Sequence, residues 1–152
     1  MKDIYNYLYY NEKLSSSGMP KPEQLKAVAD AGVEILINLA TSRSEGAIPN
    51  EGELVRGLGI EYIHIPVDWN KPTKDDLDDF LSAMGKHKSR SILVHCQANY
   101  RATCFVALYR ILRLGWKPEE AFVDMHKIWD EEKYPIWKKF IEDAMKRSPT
   151  GM

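Results

Sequence analysis

One stretch of the chain has residue types and spacing suited to covalent chemistry: His95-Cys96-Gln97-Ala98-Asn99-Tyr100-Arg101. It follows the apolar run Ser91-Ile92-Leu93-Val94 and leads into a helical pattern. A loop that leaves a strand and enters a helix turns its backbone N–H groups inward. Together with the helix dipole they form an anion site. The same field favours a thiolate over a thiol. Arg101 adds a guanidinium fork that matches two oxygens of a tetrahedral anion. A thiolate beside a bound phosphate or sulfur oxyanion is an activated nucleophile. A cysteine after an apolar strand is, on its own, usually a small core residue. Arg101 separates Cys96 from that case. A cation at a helix N-terminus opposes the macrodipole unless an anion sits between them.

The elements around this loop are legible from periodicity. Lys21-Pro22-Glu23 opens a helix carrying Leu25, Val28 and Ala29, which ends before Gly32. Val33 to Leu39 reads as a buried strand and Thr41 to Pro49 as a loop. Asn50 with Glu53 is a capping-box pattern for a short helix ending near Gly57 or Gly59. Ile60 to Ile65 is the next strand, followed by the loop Pro66 to Pro72. Thr73 with Asp76 caps a helix bearing Leu77, Phe80, Leu81 and Met84 at helical spacing. Ser91 to Val94 is a strand running into Cys96. After Arg101 comes a helix with Phe105, Leu108, Tyr109 and Leu112 inside, closed by Gly115. Pro118 starts a helix with Ala121, Phe122, Met125 and Trp129. Pro135 starts another with Ile136, Phe140, Ile141 and Ala144. Strands alternating with helices predict right-handed crossovers and a mostly parallel sheet. Ligands bind such sheets beyond the carboxyl ends of the strands, where Cys96 lies.

Bulk properties narrow the function classes. The 152 residues suit one domain, 1–152. A net charge of −1 gives no reason to expect nucleic acid or an anionic membrane as partner, so any anion must be held by a local site. Two cysteines, Cys96 and Cys104, make no disulfide framework and fit a reducing compartment. No run approaches the roughly 20 apolar residues of a membrane span, and Met1 to Tyr7 has no signal-peptide core. A cytoplasmic protein, monomeric or weakly dimeric, is expected. No cluster has metal-ligand spacing, and no metal or cofactor is implied.

Val94-His95-Cys96, four residues, then Arg101-Ala102-Thr103 resembles the signature loop of the cysteine-dependent protein tyrosine phosphatase superfamily. The wider chain resembles the compact dual-specificity type. In particular it is similar to a bacterial group of short-loop tyrosine-phosphatase-like proteins, relatives of which occur fused to metallo-β-lactamase-like domains. The matching features run from Ser17-Gly18-Met19-Pro20 through the helix after Arg101, and include Gly59-Ile60-Glu61-Tyr62-Ile63-His64-Ile65-Pro66-Val67-Asp68. The resemblance implies a phosphotyrosine protein phosphatase-like α/β fold, a three-layer sandwich whose small, mostly parallel sheet of four to five strands is flanked by helices. It implies a nucleophile at Cys96, an oxyanion-holding Arg101 and a general acid at Asp68. Substrate would touch His95, Gln97, Ala98, Asn99, Tyr100, Ala102 and Thr103. The substrate would be a phosphorylated protein or a small phosphate ester.

The loop departs from that pattern. Four residues separate Cys96 from Arg101 where the family has five. The usual glycine is Asn99, which tolerates left-handed backbone. The hydroxyl residue that normally follows the arginine is Ala102, with Thr103 one place later. Three readings follow: a phosphatase, a rhodanese-like sulfurtransferase carrying a persulfide on Cys96, and an inactive phosphate- or phosphoprotein-binding module. The short ring favours the second, and the rest of the chain favours the first. Asp68 discriminates, because sulfur transfer needs no acid, although a turn aspartate bonding its own backbone has the same sequence appearance. His95 is read as holding the loop, Trp69 and Tyr100 as possible pocket walls, and Ser42, Arg43 and Glu45 as a solvated loop near the rim.

Overall fold

Five short strands frame the cysteine loop: β1 (Leu8–Asn11), β2 (Leu14–Ser17), β3 (Ile35–Asn38), β4 (Glu61–His64) and β5 (Ile92–His95). Their order in the sheet is β1-β2-β5-β3-β4. This computed structural model describes residues 1–147, and the end of the predicted domain, 148–152, lies outside the described residues. Only β1 runs antiparallel; β2, β5, β3 and β4 are mutually parallel. The central strand is therefore β5. Its last residue, His95, sits in register with Ser17 on one side and Asn38 on the other.

Six helices cover the sheet: α1 (Leu25–Asp30), α2 (Glu51–Gly57), α3 (Lys74–Lys86), α4 (Tyr100–Leu112), α5 (Pro118–His126) and α6 (Pro135–Met145). Side chains alternate across a strand, and the sequence uses both faces. Leu36 and Leu93 pack with Leu25 and Val28 of α1 and Val55 of α2. Ile35, Ile37, Ile92 and Val94 pack with α3, α4 and α6. The result is the expected three-layer sandwich. Helix α4 is buried at every residue from Arg101 to Leu112. Burial on all sides marks a central helix, and each large apolar side chain it sequesters contributes about 1.5–3 kcal/mol.

Three local findings differ from the sequence-based reading. The β1–β2 hairpin was not expected. Strand β2 is Leu14-Ser15-Ser16-Ser17 and wholly buried, so hydropathy does not mark it. Its hydroxyls are satisfied internally: Ser16 Oγ lies 2.8 Å from the Tyr10 hydroxyl, and Ser17 Oγ donates to the Gly18 carbonyl at 2.8 Å. Asn50 stands at the N-cap of α2 but makes no side-chain cap bond, so its box with Glu53 does not form. The box at Thr73 does form, with both reciprocal bonds to Asp76 at 3.1 Å. Finally, Trp129 lies beyond α5, in the segment that leads to α6.

Candidate active site

The chain leaves β5 at His95 and turns at Cys96, whose N–H donates to the Ser17 carbonyl at 3.2 Å. Asn99 makes the reversal. It adopts φ 69°, ψ 13° and stands at the N-cap of α4. The left-handed conformation predicted to be tolerable there is the one it takes. Among the described residues no oxygen accepts from the N–H groups of Gln97 and Ala98. The loop thus offers backbone donors ahead of a helix N-terminus, the arrangement that binds anions.

The loop is fixed from outside by segments distant in sequence. Asn99 Nδ2 donates to the Asn6 carbonyl at 2.8 Å, and Asn6 Nδ2 donates to the Ala98 carbonyl at 3.0 Å. Asn6 is itself left-handed, at φ 52°. Met19 N–H donates to Gln97 O at 2.9 Å. Gly18 lies so close to the loop that an added Cβ would meet Gln97 O at 2.8 Å and Tyr5 O at 2.9 Å, which only a glycine avoids.

Beneath the loop is a buried polar chain. His95, fully buried, directs Nδ1 to the Cys96 carbonyl at 3.1 Å and Nε2 to Glu51 Oε2 at 2.5 Å. The other Glu51 oxygen takes an amide hydrogen from Asn38 at 3.3 Å, and Asn38 also donates to the Tyr62 hydroxyl at 3.0 Å. The loop-holding role predicted for His95 thus has a partner, Glu51, that the sequence did not reveal. No motif signals it, because the residue reads as the first turn of an ordinary helix.

Arg101 enters the site from the first turn of α4. Its Nη1 donates to the Val67 carbonyl at 2.7 Å, which ties the loop carrying Asp68 to the cysteine loop. The next residue but one, Trp69, has its carbonyl held by Trp137 Nε1 at 2.8 Å. Two cavities meet at Arg101. One, of about 320 Å³, is lined by Cys96, Gln97, Ala98, Tyr100, Arg101, Trp69 and Tyr134. The other, of about 500 Å³, includes Asp68, Trp69, Asn70, Gln97, Arg101 and the turn Thr41 to Ser44. Asp68 is exposed in this second cavity, and its Oδ1 accepts from Asn70 N–H at 2.9 Å. It is therefore a turn residue and a cleft residue at once.

Cys96, Gln97, Ala98, Tyr100, Arg101 and Asp68 are brought to the two cavities; Asn99, His95, Ala102 and Thr103 are not. Asn99 and Ala102 are fully buried. The Thr103 hydroxyl donates to the Asn99 carbonyl at 2.7 Å and accepts from Trp129 Nε1 at 3.0 Å, so it faces the core and not the substrate side. Tyr100 stacks on Trp129 with rings 6° from parallel and centroids 5.0 Å apart, and Trp69 packs against both. Both cysteines are free. Burial pushes the Cys104 thiol well above its ordinary range, with smaller contributions from Glu131 and Cys96, so Cys104 is an unreactive core group.

Known proteins resemble the chain over most of its length. Residues 11–147 match the family described as DSP-PTPase phosphatase fused to NAD+ kinase. Beta-lactamase hydrolase-like proteins of two Xylella fastidiosa strains, Temecula1 and 9a5c, are 31% identical over 116 residues, which cover 72% of this chain and 26% of theirs. The chain thus spans about a quarter of the length of the curated relatives it matches. A DUF442 protein of Shewanella putrefaciens CN-32 superposes with a TM-score of 0.87 at 38% identity, over 95% of this chain and 92% of that one. TpbA of P. aeruginosa, solved with pTyr, superposes with a TM-score of 0.71 at 15% identity, over 93% and 88% of the two chains. That last likeness is one of fold alone.

Proposed function

The chain belongs to the family of DSP-PTPase phosphatases whose model it matches, and on that premise we propose that it hydrolyses phosphomonoesters through a phosphocysteine at Cys96. The observation that carries the reading is the meeting of Cys96, Arg101 and the Asp68 loop around adjoining cavities. The phosphoryl group would rest on the N–H groups of Gln97 and Ala98 and on the Arg101 N–H groups not committed to Val67. The Cys96 thiolate forms an S–P bond as the P–O bond to the leaving group breaks. Asp68 gives its proton to the leaving oxygen. Water then attacks phosphorus and passes a proton to Asp68, the S–P bond breaks, and inorganic phosphate departs. With its hydroxyl committed to Asn99 and Trp129, Thr103 takes no part in this step.

Candidate substrates are phosphotyrosine, phosphoserine or phosphothreonine in a protein, or a small phosphate ester. A free nucleophilic thiol suits the reducing cytoplasm, which is the proposed location. The four-residue ring keeps the sulfurtransferase reading in second place, since a persulfide needs less room than a phosphoryl group.

The test is a paired assay on wild type and Cys96→Ser. Wild type hydrolyses para-nitrophenyl phosphate, and Cys96→Ser falls to background. Cys96-dependent sulfur transfer from thiosulfate to cyanide, with no phosphate release, overturns the proposal. Asp68→Asn separates acid catalysis from binding. It should cost about 100-fold in kcat on phenyl phosphate, a poor leaving group, and far less on para-nitrophenyl phosphate. Equal losses on the two would remove Asp68 from the acid role.

A further inference from the structure

The turn Thr41 to Ser44 was expected to be a solvated loop, yet it forms one wall of the larger cavity. It is a built turn. Ser44 N–H donates to the Thr41 carbonyl at 3.0 Å, and Thr41 N–H donates to Ser44 Oγ at 3.1 Å. It is also docked on the cysteine loop, because Glu45 N–H donates to Gln97 Oε1 at 3.0 Å. Arg43 sits in the middle of this turn and lines the cavity together with Arg101.

The two cleft arginines differ from most of the others. Arg90, Arg110 and Arg147 each pair with a carboxylate. Among the described residues Arg43 and Arg101 pair with none. The one carboxylate in the cavity, Asp68, accepts from the Asn70 N–H. Arg101 gives one N–H to the Val67 carbonyl and Arg43 is exposed at the rim, so each lines the cavity with guanidinium charge that no carboxylate neutralises and that an anion would. One anion, the scissile phosphate, belongs with Arg101. Arg43 is then left for another.

We propose that the cavity bounded by Thr41 to Ser44 is a second phosphate subsite, and that the substrate is a small bisphosphorylated metabolite. Its reacting phosphate lies over Cys96 and Arg101, and its second phosphate lies on Arg43 and the Ser42 and Ser44 hydroxyls. This deepens the phosphatase reading and rests on it. The walls suit such a molecule. They offer guanidinium and hydroxyl groups around about 500 Å³, with the aromatic rings of Trp69, Tyr100 and Tyr134 gathered on the Cys96 side.

The experiment measures binding by calorimetry to Cys96→Ser, which holds ligand without turnover. Fructose 1,6-bisphosphate and 2,3-bisphosphoglycerate sample long and short phosphate spacings, with fructose 6-phosphate and 3-phosphoglycerate as matched monophosphates. At least one bisphosphate should bind about tenfold or more tightly than its monophosphate, a difference of about 1.4 kcal/mol. Adding Arg43→Met should abolish that ratio. Equal affinity within both pairs, or a preference that survives Arg43→Met, overturns the subsite. So does tighter binding of a phosphotyrosine peptide that is indifferent to Arg43. Failure of phosphatase chemistry itself is read separately, as absence of Cys96-dependent para-nitrophenyl phosphate hydrolysis by the wild type.

Discussion

Glu51 and His95 lie 44 positions apart and meet at 2.5 Å in the core, one 3% and the other 0% exposed. Their contact fixes the ring that holds the Cys96 carbonyl, so Glu51 is a positioning residue for the proposed nucleophile. Removing the carboxylate altogether in Glu51→Ala strands the buried ring and the Asn38 amide. A cost of about 3–5 kcal/mol is expected in urea unfolding. Glu51→Gln keeps the shape and a hydrogen bond and should cost only about 1 kcal/mol. The loop would nonetheless lose its fixed geometry, so iodoacetamide should modify Cys96 at a changed rate while Cys104 stays unmodified in both proteins. Unchanged alkylation in Glu51→Gln would reduce Glu51 to a packing role. Cys96, Arg101 and the left-handed Asn99 were legible in the sequence because loop chemistry is local. Glu51 and Asn6 were not, because each acts across the fold on a partner that nothing nearby in sequence names.

Two helices with similar cap patterns behave differently at the level of elements. Thr73 and Asp76 satisfy each other at the start of α3, whereas Asn50 makes no cap bond and α2 instead turns Glu51 inward. Thr73→Ala should therefore cost about 1 kcal/mol, and Asn50→Ala clearly less, by chemical denaturation. Comparable losses would mean that the Asn50 side chain caps after all. The same contrast explains what the sequence made legible. Helices α3, α4 and α6 and strands β3 to β5 announce themselves by apolar spacing. The β1–β2 hairpin does not, because three buried serines replace the apolar residues a strand reading looks for, and their bonds to Tyr10 and Gly18 become visible only in three dimensions.

Across the whole molecule, acid sensitivity comes from a few paired carboxylates. Burial raises Asp124 and Asp78, but bonds from Lys127 and Arg110 to the first, and from Arg147 and Lys74 to the second, outweigh it and hold both below the usual range. Glu34 is lowered by the Ser91 N–H and by Arg90. A carboxyl lowered in the folded state binds fewer protons there than in the unfolded chain. Its contribution is complete above the unfolded value of about 4 and fades as pH falls through the folded value. Unfolding free energy should thus be flat from pH 7 to about 5 and decline below about 4. Asp124→Asn should lower the plateau and shallow that decline. An unaltered slope would show that Asp124 carries none of it.

The side chain of Trp69 borders both cavities, packs at 5.8 Å from Tyr100 and stacks at 5.2 Å on Trp137. An indole in that position is a built-in optical reporter. Phosphate or vanadate added to the unlabelled protein should alter its fluorescence emission, and Trp69→Phe should silence the signal. Occupancy of the cleft could then be followed in real time with no dye attached.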